Sequence, residues 1–222
     1  MHVYLQERVD IAPGQVEAYY AQLDKGARRL NDMIPRCMGL FHTVGATGKW
    51  HEVYFLWEFD DWAQYAKVME RYPGPGGIVS WADPDWKLRT GGSSITMEPG
   101  FFCPTLHDLQ AQGLQARVFM HEYIRVLPGR RNDYLNHYHD NFLEATQRVG
   151  RQLVGVWSMI GNANDVVILL AIKDWAAYAK GMAIRKADPV RKTWQATSSS
   201  YRSDYDLRLL TPGPLSFNPL AW

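Results

Sequence analysis

The amino-acid sequence repeats itself, and that repetition limits the possible folds more than any composition value does. The segment YLQERVDIAPGQVEAYYAQLD near the start is answered by FMHEYIRVLPGRRNDYLNHYH in the second half. Within these segments Glu7 pairs with Glu122, Pro13-Gly14 with Pro128-Gly129, and Tyr19 with Tyr134. Further on, Gly39-Leu40-Phe41 pairs with Gly155-Val156-Trp157, and Gly45 with Gly161. VYFLWEFDDWAQYAK then pairs with VVILLAIKDWAAYAK, setting Asp61-Trp62 against Asp174-Trp175. Asp83-Pro84, Ser93-Ser94 and Pro99-Gly100 follow, against Asp188-Pro189, Ser199-Ser200 and Pro212-Gly213. The order never breaks, so duplication explains the pattern and chance does not.

Both copies read as the same string of elements. An alternating strand opens each, with Val3, Leu5, Glu7 and Val9 on one face, and Val118, Met120, Glu122 and Ile124 in the second copy. A Pro-Gly turn leads into a helix whose apolar stripe is Val16, Tyr19, Tyr20, Leu23, Ala27, Leu30 and Ile34. The second copy's stripe is Leu135, Tyr138, Phe142, Ala145 and Val149. Two strands follow, over 40–44 and 53–59, or 154–160 and 166–172. Asp61 and Asp174 are placed to cap a second helix. A last strand closes each unit over 94–98 or 205–210, before a Pro-Gly stop. The order β-α-β-β-α-β is the ferredoxin-like split arrangement.

The fold class expected is therefore α+β, with tandem ferredoxin-like repeats packed as an intramolecular pseudo-dimer. The 222 residues divide into a first repeat over 1–109 and a second over 114–222, with the polar connector Gln110–Gly113 between them. A breaker cluster at Pro73–Gly77 has no equal in the second copy, where MAIRKADPVRKTW reads as continued helix. That cluster is either a lid over a pocket or a plain surface insertion.

Composition narrows the partners. Net charge is +1 and the basic residues form no stripe, which argues against nucleic acid and anionic membrane. No apolar run reaches the ~20 residues that span a bilayer. MHVYLQERVD reads as a strand, not a signal peptide. Cys37 and Cys103 lack metal spacing and suit a reduced, cytoplasmic setting. Nine Trp and twelve Tyr exceed the needs of packing and are of the type that lines concave ligand sites, though an aromatic-rich core explains them equally well.

A strand ending in Pro-Gly, a helix, a Gly-Leu-Phe strand and the run Glu52-Val53-Tyr54-Phe55-Leu56-Trp57-Glu58-Phe59-Asp60 together resemble the NIPSNAP family. The second copy keeps Gly155-Val156-Trp157 but has Leu170-Ala171-Ile172-Lys173-Asp174 in the later motif. The resemblance covers nearly the whole chain. It implies a dimeric α–β barrel, two four-stranded sheets meeting face to face with helices outside. Related barrels include cofactor-free monooxygenases, polyketide cyclases, haem-degrading enzymes and proteins without a known reaction, so fold alone leaves chemistry open. Family members often carry an Arg near the middle of the first strand, whereas Glu7 and Glu122 stand there.

Those two glutamates are the leading catalytic candidates. Alternation places each among aliphatic neighbours, and a desolvated carboxyl has a raised pKa suited to acid–base work near neutrality. The plainer alternative is a structural Glu bonded to a Tyr, Trp or backbone donor. In the second copy, Tyr134, His137 and Asn141 fall on one edge of the apolar stripe, with His139 on the other and Tyr138 within it. The concentration of titratable groups there suggests a functional second half and a scaffolding first half. Catalytic roles are assigned to Glu122, His137, Tyr134 and Glu7. Tyr138, His139, His42, Trp57 and Asn141 are expected to bind substrate, with His42 pointing inward, and Phe41 and Trp157 lying under the helices. His137 and His139 project about 200° apart on a helix, wrong for joint ligation, so no metal is expected. A lone His could still hold haem, but nothing demands it. With no Gly-rich phosphate loop or nucleophile elbow, no cofactor is expected.

The sequence thus points to a cofactor-independent lyase, isomerase, cyclase or hydratase acting on a small hydrophobic or aromatic molecule in the barrel interior. The alternatives are a cofactor-free monooxygenase and a non-catalytic NIPSNAP-like binding protein. Self-association into a homodimer is optional, since the fusion already supplies a pseudo-dimer.

Overall fold

A computed structural model describes residues 1–33, 36–71, 87–213 and 218–220, with only the backbone path over 26–33. The Pro73–Gly77 cluster, Asp83-Pro84 and the side chains of Ala27, Leu30 and Ile34 lie outside the described residues.

The first repeat runs β1 (Val3–Ile11), α1 (Val16–Met33), β2 (Cys37–Thr43), β3 (Glu52–Phe59), α2 (Trp62–Arg71) and β4 (Arg89–Pro99). A short helix α3 (Leu106–Ala111) follows. The second repeat runs β5 (Val118–Val126), α4 (Arg131–Asn141), α5 (Leu143–Arg148), β6 (Arg151–Met159), β7 (Asp165–Ile172), α6 (Trp175–Arg185), α7 (Pro189–Ser198) and β8 (Arg202–Pro212). Within each repeat the sheet is antiparallel, in the orders β4-β1-β3-β2 and β6-β7-β5-β8. The duplication read from the sequence is real at the level of topology.

Local chemistry explains the shared elements. Gly14 and Gly129 take φ of +74° and +76°, a left-handed conformation that requires glycine in the turn before the first helix. The second helices start as expected: Asp61 Oδ1 accepts from the Gln64 N–H at 2.8 Å, and Asp174 Oδ1 from the Ala177 N–H at 2.7 Å. The Gly-φ-aromatic motif has a steric cause. A Cβ at Gly39 would overlap the Phe41 ring, and one at Gly155 the Trp157 indole, because each aromatic folds back over its glycine. Strands β3 and β7 are central in their sheets and buried at every position, so they read as near-continuous apolar runs.

Several expectations need correction. The helix expected across MAIRKADPVRKTW is two helices, because Pro189 starts α7 and Asp188 caps it by accepting from the Arg191 N–H. The stripe ending at Val149 is likewise split, at Phe142. A helix not read in the sequence, Leu106–Ala111, starts on a Thr105–Asp108 capping box and runs into the first residues of the Gln110–Gly113 segment. The pairing of Ser93-Ser94 with Ser199-Ser200 fails. Glu7 faces Ser94 and Val9 faces Gly92, while Glu122 faces Leu207 and Ile124 faces Tyr205. Gly92 therefore corresponds to Tyr205.

The helix-covered face is also the reverse of the one expected. Val3, Leu5, Val9 and Ile11 of β1 share one core with Tyr19 and Leu23 of α1, Val68 of α2, and Val53, Phe55 and Trp57 of β3. Full burial of each such side chain stabilises by about 1.5–3 kcal/mol. Glu7 belongs to this face, so it points beneath its own helices, whereas Phe41 pairs in register with Tyr54 on the opposite face. Tyr4, Tyr54, Leu56 and Glu58 on that opposite face are buried as well. Glu58 there takes a hydrogen bond from Tyr4 at 2.9 Å and an ion pair from Arg36 at 3.3 Å.

The chain forms two compact units, one of Met1–Met97 with Thr211–Ala221, the other of Glu98–Leu210 with the last residue. Each unit thus includes the segment that follows the other repeat's last strand. The contacts are equivalent: Gly213 N–H donates to Leu40 O, and Gly100 N–H donates to Val156 O, both at 2.8 Å. Leu40 N–H donates in turn to Asn218 Oδ1 at 2.8 Å, and Val156 N–H to Cys103 Sγ at 3.4 Å. The two Pro-Gly stops noted in the sequence are the start of these segments.

Candidate functional site

In the first unit, β1 and β3 bring Glu7 and Trp57 together. Trp57 Nε1 donates to Glu7 Oε2 at 2.9 Å, and the indole stacks on Phe55 at 5.7 Å. Burial raises the pKa of Glu7, and the Trp57 bond and the Arg89 charge only partly offset it. The carboxyl borders a cavity of about 470 Å³ lined by Val9, Arg89, Gly92, Ser93 and Ser94 among others. β4 contributes Gly91-Gly92 to the cavity wall. A Cβ on Gly92 would sit 2.5 Å from the Arg8 carbonyl oxygen, so the strands approach too closely for a side chain.

Arg89 lies over the Tyr19 ring at 5.3 Å, and its Nε is buried without a hydrogen-bond partner among the described residues. Such a donor is costly unless a ligand or water meets it. The Tyr20 hydroxyl is likewise buried and unpartnered, and burial raises its pKa. His42 packs edge-on to Tyr20 at 6.4 Å and stacks on His51 at 6.4 Å. Burial, then repulsion from His51, lowers its pKa.

In the second unit, Glu122 is 7% exposed and accepts from the Tyr205 hydroxyl at 2.9 Å. Burial raises its pKa; the Tyr205 bond and the charges of Arg151, Arg202 and Arg185 oppose that rise. Tyr134 and Tyr138 of α4 are buried nearby, and their pKa values rise chiefly from burial and next from the Glu122 charge. Tyr205 occupies the position that is Gly92 in the first unit, so the second carboxyl is sealed by a phenol where the first opens to a cavity.

The expected histidines do not join Glu122. His137 is sandwiched between Trp194 at 5.1 Å and Tyr201 at 4.9 Å, and bonds Thr197 and Asn141. His139 is exposed, pairs with Asp140 at 2.7 Å and packs on Phe101 and Phe102. Asn141 is exposed on the same helix. Rings fill the space under α4 and α7, with Phe142 stacked on Trp194 at 4.6 Å. The structure brings together Glu7 with Trp57, and Glu122 with Tyr134 and Tyr138; it leaves His137, His139 and Asn141 apart from both glutamates. Among the described residues no three His, Cys, Asp or Glu side chains converge as a metal-ligand set. No described helix is long and apolar enough to cross a membrane.

Sequence reasoning missed Arg89, Gly92 and Tyr205. Correct strand register would have exposed the Gly92–Tyr205 difference, which the accidental Ser-Ser match concealed.

The NIPSNAP family model matches residues 123–216. That match lies within the second repeat. Beyond that match, the whole chain shares its fold with solved structures at low identity. A candidate monooxygenase from Lactobacillus acidophilus NCFM is 12% identical with a TM-score of 0.65, covering 95% of this chain and 93% of its own. A candidate monooxygenase from Fusobacterium nucleatum gives 12% and 0.64, over 95% and 92%. A candidate chlorite dismutase gives 13% and 0.52, over 97% of both chains. These likenesses establish the fold, the dimeric α–β barrel class with both ferredoxin-like repeats on one chain. No curated protein is similar enough in sequence to count as a relative.

Proposed function

We propose that the protein is a cofactor-independent acid–base enzyme whose chemistry takes place in the first repeat, at Glu7. The observation that carries this reading is the junction of a desolvated carboxyl with an open cavity of about 470 Å³. The cavity suits a small, largely apolar molecule carrying a carbonyl, enol or phenol. Glu7 moves a proton to or from a carbon or oxygen of that molecule. Arg89, with its unpartnered Nε, faces developing negative charge, and the Ser93 and Ser94 hydroxyls supply orientation. Lyase, isomerase, cyclase and hydratase steps all use this set.

A second reading has its own support. The fold shared with two candidate monooxygenases favours a variant in which Glu7 deprotonates an electron-rich phenol or enol and the resulting anion reacts directly with molecular oxygen. Both readings need the same base.

The test is a screen of small enolisable and phenolic compounds with wild type and Glu7→Gln, following proton exchange at carbon and oxygen consumption in parallel. Turnover lost in Glu7→Gln supports the site, and oxygen uptake chooses between the readings. Turnover that survives Glu7→Gln unchanged contradicts both.

A further inference from the structure

The second unit contains a cluster of cations that the Glu7 reading does not use. Arg151 opens β6, Arg185 ends α6 and Arg191 lies in the first turn of α7, and the three line one crevice with Thr146 and Asp188. Arg151 is only 5% exposed. Among the described residues its side chain has one hydrogen-bond acceptor, the weak thioether of Met182 at 3.7 Å, and Arg185 uses the same sulfur at 3.3 Å. Neither these two nor Arg191 has a carboxylate within ion-pair distance among the described residues. Asp188 is in the crevice, but it is committed to capping α7 through the Arg191 N–H and lies 3.8 Å from Arg148.

A buried guanidinium with no ion-pair partner is expensive, and Arg151 has two further, partly buried cations beside it. Burial first and mutual repulsion second lower the proton affinity of two of them, with Tyr205 and Glu122 opposing. Burial, then Arg185 and Arg151, pulls Arg191 down to about 10; burial, then Arg151, lowers Arg185. Nothing in the fold of the unit requires this arrangement, since apolar residues would fill the crevice beside Phe142, Ala145 and Val149 at lower cost.

We infer that Arg151, Arg185 and Arg191 form a binding site for a small oxyanion of the phosphate class. Three forked cations stand against two carboxyl groups already committed, Asp188 to the α7 cap and Glu122 to the Tyr205 hydroxyl, and the excess of positive charge that remains suits a dianion better than a monoanionic carboxylate. The free volume, about 10 Å³, admits one oxygen atom rather than a ring, so a terminal phosphate group seats one oxygen deep against Arg151 while Arg185 and Arg191 close on the others. The site is separate from the Glu7 cavity, and either proposal can fail without the other.

The test uses inorganic phosphate as the probe on the full chain, by calorimetry and thermal denaturation, with ionic strength held constant by chloride and with acetate as a second arm. Saturable phosphate binding that raises Tm, and that weakens roughly tenfold or more in both Arg185→Gln and Arg191→Gln, supports the site. These two residues are half-exposed, so their variants fold even if Arg151→Gln does not. No binding beyond the chloride control, or equal binding in both variants, overturns the proposal. Binding of acetate in preference to phosphate overturns the assignment to the phosphate class.

Discussion

Trp57 donates its indole N–H to the Glu7 carboxyl at 2.9 Å, and among the described residues this bond is the one side-chain hydrogen bond that opposes the effect of burial on the carboxyl. Its position in the second repeat is Leu170, and there Tyr205 supplies the donor to Glu122 from the opposite neighbouring strand. The two copies have kept a buried glutamate and changed what satisfies it. That change decides which glutamate a ligand can reach.

Replacing Trp57 by Phe removes the donor while keeping a ring in the core. The Glu7 pKa then rises further, and stability falls by about 1–3 kcal/mol, the usual cost of leaving a buried acceptor without its donor. Carbon-13 titration of the Glu7 carboxyl and denaturant unfolding measure the two effects. A Glu7 pKa unmoved by the substitution would show that the bond has no electrostatic role.

Glu122 sets a pH dependence of known sign. Burial holds its folded pKa above the ordinary 4.5, so across the interval between these values the folded state binds more protons than the unfolded state. Its stabilising contribution is complete below the ordinary value and is lost as pH rises through the folded one. Glu122→Gln should remove that decline, so denaturation midpoints measured from mild acid to mild alkali should show a flatter curve than wild type.

Gly39 and Gly155 carry the aromatic fold-back of both repeats. Gly39→Ala and Gly155→Ala each force the Phe41 or Trp157 ring out of place and should cost about 1–3 kcal/mol, as overpacking does. Chemical denaturation reads the loss. Pairing Gly155→Ala with Trp157→Leu should recover part of it, because the overlapping indole is then gone.

Asn218 ties the segment after the second repeat to the first unit. It is 3% exposed, accepts from Leu40 N–H at 2.8 Å and donates to Gly213 O at 3.1 Å. Asn218→Ala leaves a buried backbone N–H unsatisfied and should destabilise by about 1–3 kcal/mol. Hydrogen exchange should show the loss of protection first at the Leu40 amide.

The topology was legible because it rests on local signals that both copies carry. Pro-Gly turns, the Asp61 and Asp174 caps and the apolar runs of β3 and β7 each have a cause within a few residues of chain. The helix break at Phe142 was less visible, since the apolar stripe passes through it, whereas the break at Asp188-Pro189 has a local cause, a capping Asp followed by a first-turn Pro. The site was half legible. Alternation marked Glu7 and Glu122 as buried, and the plain alternative of a Trp or Tyr donor is what the fold provides for each. Composition of α4 pointed to His137 and His139, but helix faces are set by what packs on them, and Trp194 and Tyr201 take His137 out of reach. Which face of β1 the helices cover depends on the path of α1, which periodicity within a strand cannot state. The Gly92–Tyr205 exchange depends on register across two strand pairs.

A comparison of Glu7→Gln with Glu122→Gln tests the account at its centre, made as turnover of any compound that the wild-type protein converts. Loss of about 10²–10⁴-fold in the Glu7 variant, with the Glu122 variant close to wild type, is the predicted result. The reverse pattern, an active Glu7→Gln and a dead Glu122→Gln, would place the chemistry behind Tyr205 and contradict the account.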